Sequence, residues 1–169
     1  TARAAITKGV IAAMERCRII VRYGIGVDTI DIPAANERGI MVANVPDYCI
    51  DEVSDQALAL LLMLSRQMIP AISLAKEESW AIAKMPPLHR LRGQVCGLVG
   101  CGRIGSLLAG KVSQLGMRVV IHDPYLSPSR CREIRAQLVS LDSLLASADF
   151  ISLHAPLDEK THHLFGEAT

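Results

Sequence analysis

Hydrophobic positions fall into short β-branched runs that alternate with stretches of helical period, a pattern that predicts an α/β chain with parallel strands. Residues 10–16 read as the end of a helix, and 17–23 (Cys-Arg-Ile-Ile-Val-Arg-Tyr) as a strand running into Gly24-Ile25-Gly26-Val27-Asp28. A helix is expected over 32–38, with Pro33 in its first turn and Gly39 closing it. A second strand, 40–45, is broken by Pro46. The order helix, strand, helix, strand before Pro46 is a piece of a parallel layer.

Asp47 or Asp51 caps the next expected helix, 52–67, whose circumference is almost wholly apolar from 57 to 64. Such a helix is expected to be buried on more than one side. A central core helix fits this pattern, and so does one between two domains or two subunits. Pro70 interrupts the pattern, and a second helical segment reaches about Trp80, a packing anchor suited to a subunit interface. Residues 85–90 form a linker.

The strongest local signal follows. The apolar run Val95-Cys96-Gly97-Leu98-Val99 stops at Gly100-Cys101-Gly102-Arg103-Ile104-Gly105, after which Leu107, Leu108, Val112 and Leu115 recur at helical spacing. A strand, a tight glycine turn and a helix N-terminus in that order suit a pyrophosphate. The first glycine permits the turn, the second lets the phosphates approach backbone N–H groups, and the third lets the helix pack on the strand. The unpaired N–H groups and the positive end of the helix dipole face the anion. Gly116 ends the helix, 117–122 is the next strand, and Asp123 stands at its end, 18 residues after Gly105. An acid there accepts hydrogen bonds from an adenosine ribose and repels a 2′-phosphate, which predicts NAD rather than NADP. Its structural alternative is a turn cap before Pro124. A short helix from 140 to 145 and a strand from 148 to 154 follow, ending in Ala155-Pro156-Leu157.

The turn around Ile25 has two readings: structural punctuation, or a ring of N–H groups for an anion at the carboxyl end of a strand. Composition narrows the classes. Half of the 169 residues are hydrophobic (50%) and the net charge is only +1, without a basic tract for nucleic acid or a charged face for a membrane surface. The apolar run 57–64 is too short to cross a bilayer. Five cysteines without a Cys-x-x-Cys pair fit a reducing compartment, so a cytoplasmic protein is expected.

Several of these stretches carry a resemblance. Arg22-Tyr23-Gly24-Ile25-Gly26-Val27-Asp28-Thr29-Ile30-Asp31 and Gly39-Ile40-Met41-Val42-Ala43-Asn44-Val45-Pro46 resemble the substrate-domain signature of the D-isomer-specific 2-hydroxyacid dehydrogenases. The glycine turn, His122-Asp123-Pro124 and Leu153-His154-Ala155-Pro156-Leu157 follow in that family's order and spacing. The likeness leans to the phosphoglycerate and hydroxypyruvate dehydrogenases and the C-terminal binding proteins. His162-His163-Leu164 and Asp123-Pro124-Tyr125-Leu126 point to the last of these. The D-lactate branch usually carries an Asn-rich turn in place of Gly26-Val27-Asp28.

The resemblance implies an incomplete Rossmann-like doubly wound parallel sheet plus part of a flavodoxin-like α/β substrate domain. Residues 1–50 would be part of the substrate domain, and 51–169 part of the NAD-binding domain with the interdomain or dimer helix. It implies an NAD-dependent oxidoreductase acting on a small D-2-hydroxy or 2-keto acid, homodimeric at full length. Arg22, Tyr23, Gly24, Ile25 and Gly26 would meet the substrate, with Ile25 also beside the nicotinamide. Gly100, Gly102, Arg103, Ile104 and Gly105 would hold the pyrophosphate, Asp123 the ribose, and Ala155, Pro156 and Thr161 the rest of the cofactor. Ile25 replaces a Ser or Thr common in relatives, which removes a side-chain hydrogen bond. Two alternatives stand beside the enzyme: an NAD-sensing interaction protein of the C-terminal binding protein type, and a dinucleotide-binding module without catalysis.

The family's catalytic arginine, and its histidine paired with a glutamate, fall beyond the equivalent of Phe165. No catalytic residue and no metal ligand is therefore assigned in this sequence. His154 reads as a packed strand-end residue, His162 and His163 as parts of a polar loop. These absences imply a fragment, the middle half of a longer enzyme, poorly soluble by itself. In a sheet of order 3-2-1-4-5-6 the first strand, 95–100, pairs with the fourth. That fourth strand is expected to be missing, leaving an open edge.

Overall fold

The strand runs pair into two parallel sheets, one of two strands and one of four. They belong to two units, Thr1–Cys49 and Ile50–Thr169, of which a computed structural model describes residues 4–77 and 82–166.

In the first unit, α1 (Lys8–Ala12) begins at Thr7, whose side chain accepts from the Val10 N–H, and leads to β1 (Ile19–Val21). Helix α2 (Ile32–Glu37) is capped by Asp31 and has Pro33 in its first turn, where a missing N–H leaves no intrahelical bond unmade. It returns the chain to β2 (Met41–Ala43), which pairs in parallel with β1 through Ile20 and Val42. Ile11, Ile20, Ile30, Ala34, Ala35 and Ile40 form the core. The regular part of each strand is shorter than the apolar run that predicts it, because only three residues of each find ladder partners.

The second unit opens with α3 (Ile50–Ser65) and α4 (Met68–Lys76), followed by a 3-10 turn at Ile82–Lys84. Strand β3 (Val95–Val99), α5 (Arg103–Gln114) and β4 (Arg118–His122) form the central unit. Then come α6 (Pro128–Glu133), β5 (Gln137–Leu138), α7 (Leu141–Ser147) and β6 (Phe150–Leu153). All neighbours in the sheet, ordered β5-β4-β3-β6, are parallel. The pleat divides β3 between two faces. Cys96 and Leu98 join Val119, Ile121, Leu108 and Val112 in one core, while Val95 and Val99 join Val120 and Leu144 in another. Every residue of β3 is buried, as in a strand covered on both faces.

This order corrects the expectation of a missing fourth strand. The two residues of β5, which pair through Val120 with Gln137 and Ile121 with Leu138, take the third place. Phe150–Leu153 therefore takes the fourth, pairing β3 on its other side. Two residues give no period to read, which hides β5 in the sequence. The open edges belong to β5 and β6, and Leu153 on β6 is 56% exposed.

The helical pair also differs from expectation. Ser54, Leu61 and Ser65 are the buried residues of α3, whereas Leu60 is 50% and Leu64 63% exposed, so the helix is not buried on more than one side here. A polar link reinforces the narrow buried stripe: Lys111 Nζ on α5 donates to Ser54 Oγ at 2.6 Å and to the Asp55 carboxylate. Asp51 and Glu52 occupy the first turn of α3, where their charge favours the helix dipole, rather than capping it from outside. The break between α3 and α4 comes at Gln67, in the left-handed region at φ 52°, and not at Pro70, which lies within the first turn of α4. Trp80 lies outside the described residues.

The face of β3 toward α7 has no spare room. A Cβ at Gly97 would stand 2.8 Å from Leu144 Cδ2 and 3.0 Å from Ala148 Cβ. Gly97→Ala is expected to lower stability by about 1–3 kcal/mol, as overpacking does. A chemical denaturation midpoint equal to that of the wild type would show that Leu144 moves aside without cost.

Candidate functional site

Three loops meet at the carboxyl ends of β3, β4 and β6. Between β3 and β6 the chain order reverses across the sheet, the crevice at which open α/β sheets take ligands. Gly100 turns the chain out of β3 with φ 86°, and a Cβ there would lie 2.7 Å from the Ala155 backbone nitrogen. Gly105, one turn into α5, comes so close that a Cβ would meet the Gly100 carbonyl oxygen at 2.6 Å. The two glycines thus let three stretches of backbone touch.

Gly102 has a different task. It is the N-cap of α5 without a side-chain cap hydrogen bond, and nothing lies within 4 Å of where its Cβ would be. That open space faces the helix start, with its outward N–H groups and positive dipole end.

Asp123 is fixed beside it. One carboxylate oxygen accepts the Cys101 N–H at 2.8 Å, and the other accepts the Tyr125 N–H at 2.8 Å. Each oxygen keeps a further lone pair for an incoming hydroxyl. A cleft of about 270 Å³ runs from Gly100 and Gly102 past Asp123 and Tyr125 to Ala155, Pro156, Lys160 and Thr161. A cradle that a Cβ would fill and a held carboxylate at its side fit a dinucleotide by backbone for the phosphates and by acid for the ribose.

The expected cofactor residues are distributed as follows. Gly100, Gly102, Asp123, Ala155, Pro156 and Thr161 border this one cleft. Arg103 lines a shallow depression on another side of Gly102, together with Cys101, Ser106 and Arg130. Ile104 is half-buried in the first turn of α5, and Gly105 is buried. The Thr161 hydroxyl is engaged within its own loop, donating to the Pro156 carbonyl and accepting the Asp158 N–H at 2.8 Å. Hydrogen bonds from the Thr161 and Lys160 backbone hold the Asp158 carboxyl below the usual carboxylate range. Tyr125, Asp158 and Lys160 are additions to the expected set. The one sequence signal for them is the spacing of Asp123 to Tyr125 and Asp158 to Lys160, which suits an aspartate-led turn.

Arg22, Tyr23, Gly24, Ile25 and Gly26 come together in the loop after β1 of the first unit. The Arg22 N–H donates to Ala43 O at 2.8 Å, Val45 N–H to Gly24 O at 3.1 Å, and Asn44 Nδ2 to Ile25 O at 2.8 Å. The Arg22 guanidinium folds over Gly24, with Nη1 donating to Tyr23 O at 2.6 Å and Nε buried without a hydrogen-bond partner. Tyr23 stacks on Tyr48 at 6.0 Å between ring centroids.

His154 is half-buried, with Nε2 2.9 Å from Ser152 Oγ, and burial lowers its pKa. The unfolded chain takes up that proton near pH 6.5, the folded chain only at lower pH. Between those values the unfolded state binds more protons, so the contribution of His154 to stability is present above about pH 6.5 and is lost as pH falls. His154→Gln is expected to melt with a shallower decline between pH 7.5 and pH 5 than the wild type. Parallel melting curves across that range would refute the assignment.

Two glycine substitutions separate folding from binding. Gly105→Ala is expected to lower the melting temperature, because backbone stands in the way of its Cβ. Gly102→Ala is expected to leave the melting temperature unchanged and to weaken NAD by about tenfold, roughly 1.4 kcal/mol. Thermal melts with and without NAD measure both, and unaltered NAD affinity in Gly102→Ala would sink the cradle.

Comparison with known proteins agrees with this geometry. Residues 58–169 match the family described as D-isomer specific 2-hydroxyacid dehydrogenase, NAD binding domain. The chain is 41% identical over 152 residues to D-3-phosphoglycerate dehydrogenase of Mycobacterium tuberculosis, covering 90% of this chain and 29% of that protein. It is 36% identical over 168 residues to glyoxylate reductase of Thermococcus litoralis, covering 96% and 51%. The structure of D-lactate dehydrogenase from Aquifex aeolicus complexed with NAD and lactic acid superposes with a TM-score of 0.89 at 29% identity, covering 95% of this chain and 48% of that one. The chain therefore spans between about a third and a half of the length of these relatives. With the glycine cradle, the held Asp123 and the doubly wound sheet in place, it belongs to the D-isomer-specific 2-hydroxyacid dehydrogenase family and carries that family's NAD-binding domain.

Proposed function

We propose that the protein is an NAD-dependent oxidoreductase acting on the CH–OH group of a small D-2-hydroxy acid, or on the matching 2-keto acid. The observation that carries this is Asp123, hydrogen-bonded to the turn of Gly100 and Gly102 inside a domain that matches the family. NAD, when bound, exchanges a hydride with the substrate's α-carbon. The chain's own part is binding and orientation. Gly102 leaves space for the pyrophosphate at the start of α5, Arg103 adds positive charge beside it, and Asp123 takes the ribose hydroxyls.

In the first unit, Arg22 and the backbone of Gly24, Ile25 and Gly26 take the substrate carboxylate. Hydrogen bonds to the Ala43 carbonyl and from Asn44 and Val45 fix that loop in advance, which spares the ordering cost on binding. The acid–base step falls to a histidine and glutamate outside the residues of this sequence, as the family resemblance implies. A homodimer in the cytoplasm completes the proposal. The five free cysteines support that compartment, and burial pushes the Cys96 thiol up to about 11, which keeps it protonated.

Cofactor choice tests the role of Asp123. Wild-type protein is expected to bind NAD more tightly than NADP, and Asp123→Ala to narrow that ratio by roughly tenfold, about 1.4 kcal/mol. Calorimetric titration with both dinucleotides measures it, and tighter NADP binding by the wild type would overturn the assignment. Turnover of hydroxypyruvate or glyoxylate by the full-length protein checks the reaction class; NAD-dependent dimerisation without turnover would favour an NAD-sensing interaction protein instead.

A further inference from the structure

Beyond Asp123, the cleft is bordered by two loops that come from different strands. The loop after β4 carries Tyr125, and the loop after β6 carries Lys160. Each is stiffened by an aspartate, at the start of the first loop and within the second. Asp123 accepts the Tyr125 N–H at 2.8 Å, and Asp158 accepts the Lys160 N–H at 2.8 Å and the Thr161 N–H at 2.9 Å. The two side chains then meet. Lys160 Nζ donates to the Tyr125 hydroxyl at 3.4 Å and stands 5.9 Å from the ring centroid. Tyr125 is 79% exposed, so core packing does not fix its ring.

We infer that Tyr125 and Lys160 form a latch across the adenosine end of the cleft, in which Lys160 is a positioning residue that holds the Tyr125 ring over the bound nucleotide. The inference rests on the cleft taking the adenosine half of NAD. A phenol ring offers a flat face to a purine, and the ammonium hydrogen-bonded at its hydroxyl end holds the ring's orientation. The contact also reaches the acid. The Tyr125 N–H sits on Asp123, and Asp123 on the Cys101 N–H, so a tie from Lys160 to Tyr125 steadies the loop that carries the carboxylate. A basic side chain on an otherwise independent loop thus tightens ribose recognition without touching the ribose.

A double-mutant cycle with ADP-ribose as the probe tests the latch in the full-length protein. Tyr125→Ala and Lys160→Ala are each expected to weaken ADP-ribose by about two- to fivefold, the range of an exposed cation–π contact. The double variant is expected to bind no more weakly than Tyr125→Ala, and Tyr125→Phe to lose about as much as Lys160→Ala, because the ring remains but the hydroxyl that Lys160 holds is gone. The ligand-free melting temperature stays that of the wild type in all four, since both side chains are on the surface. Additive losses would show that Lys160 acts on the ligand as an independent charge and would overturn the latch, as would unchanged affinity in both single variants. Failure of the wild type itself to bind ADP-ribose would overturn the adenosine assignment beneath it.

Discussion

Everything in the second unit depends on how closely three backbones approach at the end of β3. Gly105 lies against the Gly100 carbonyl and Gly100 against the Ala155 nitrogen, at separations that leave no room for a Cβ at either position. Such contact needs a strand that cannot shift, and β3 is held in parallel by β4 on one side and β6 on the other with all five residues buried. The close approach in turn brings the Cys101 N–H within reach of Asp123 from the neighbouring strand. A one-residue slip of β3 against β4 would exchange the residues of its two buried faces and carry the Cys101 N–H away from Asp123 together.

Asp123 illustrates how charge is shared at the site. A carboxylate near a helix N-terminus is itself stabilised by the dipole, so it competes in principle with the phosphates for the same N–H groups. Here it accepts one amide at the turn, that of Cys101, and turns its second oxygen to Tyr125. The helix start beyond Gly102 stays open for a second anion. One negative side chain therefore shapes the turn without closing the helix start.

The second unit was legible in the sequence wherever a feature had a local physical cause. The glycine turn, Gly116 closing the helix after it, and the runs that became β3 and β4 each carry their signal within a few residues. Strand β5 carries none, because two residues paired to Val120 and Ile121 have no period, and the place of every later strand in the sheet depends on it. Helix α3 failed for another reason. Period shows that Leu60 and Leu64 are apolar, but burial depends on what packs there, and within the described residues the covered stripe runs through Ser54, Leu61 and Ser65. The pairing of Tyr125 with Lys160 was invisible because it joins residues 35 apart through side chains on two loops.

The two candidate binding loops follow one plan. In the first unit the loop after β1 is pinned by the segment after β2, through Asn44 to Ile25 and Val45 to Gly24. In the second, the turn after β3 is pinned by the loop after β4, through Asp123 to Cys101. In both, a neighbouring parallel strand delivers the pinning group to the same end of the sheet, because parallel strands place all their carboxyl ends together. Glycine gives these turns their shape but leaves them conformationally free in the unfolded chain, at an entropic cost of about 1 kcal/mol or more per ordered residue. Hydrogen bonds from the adjacent loop offset that cost during folding, so a ligand meets N–H groups already in place. The parallel sheet therefore does more than carry the loops, since each strand supplies the constraint that its neighbour's glycine turn lacks.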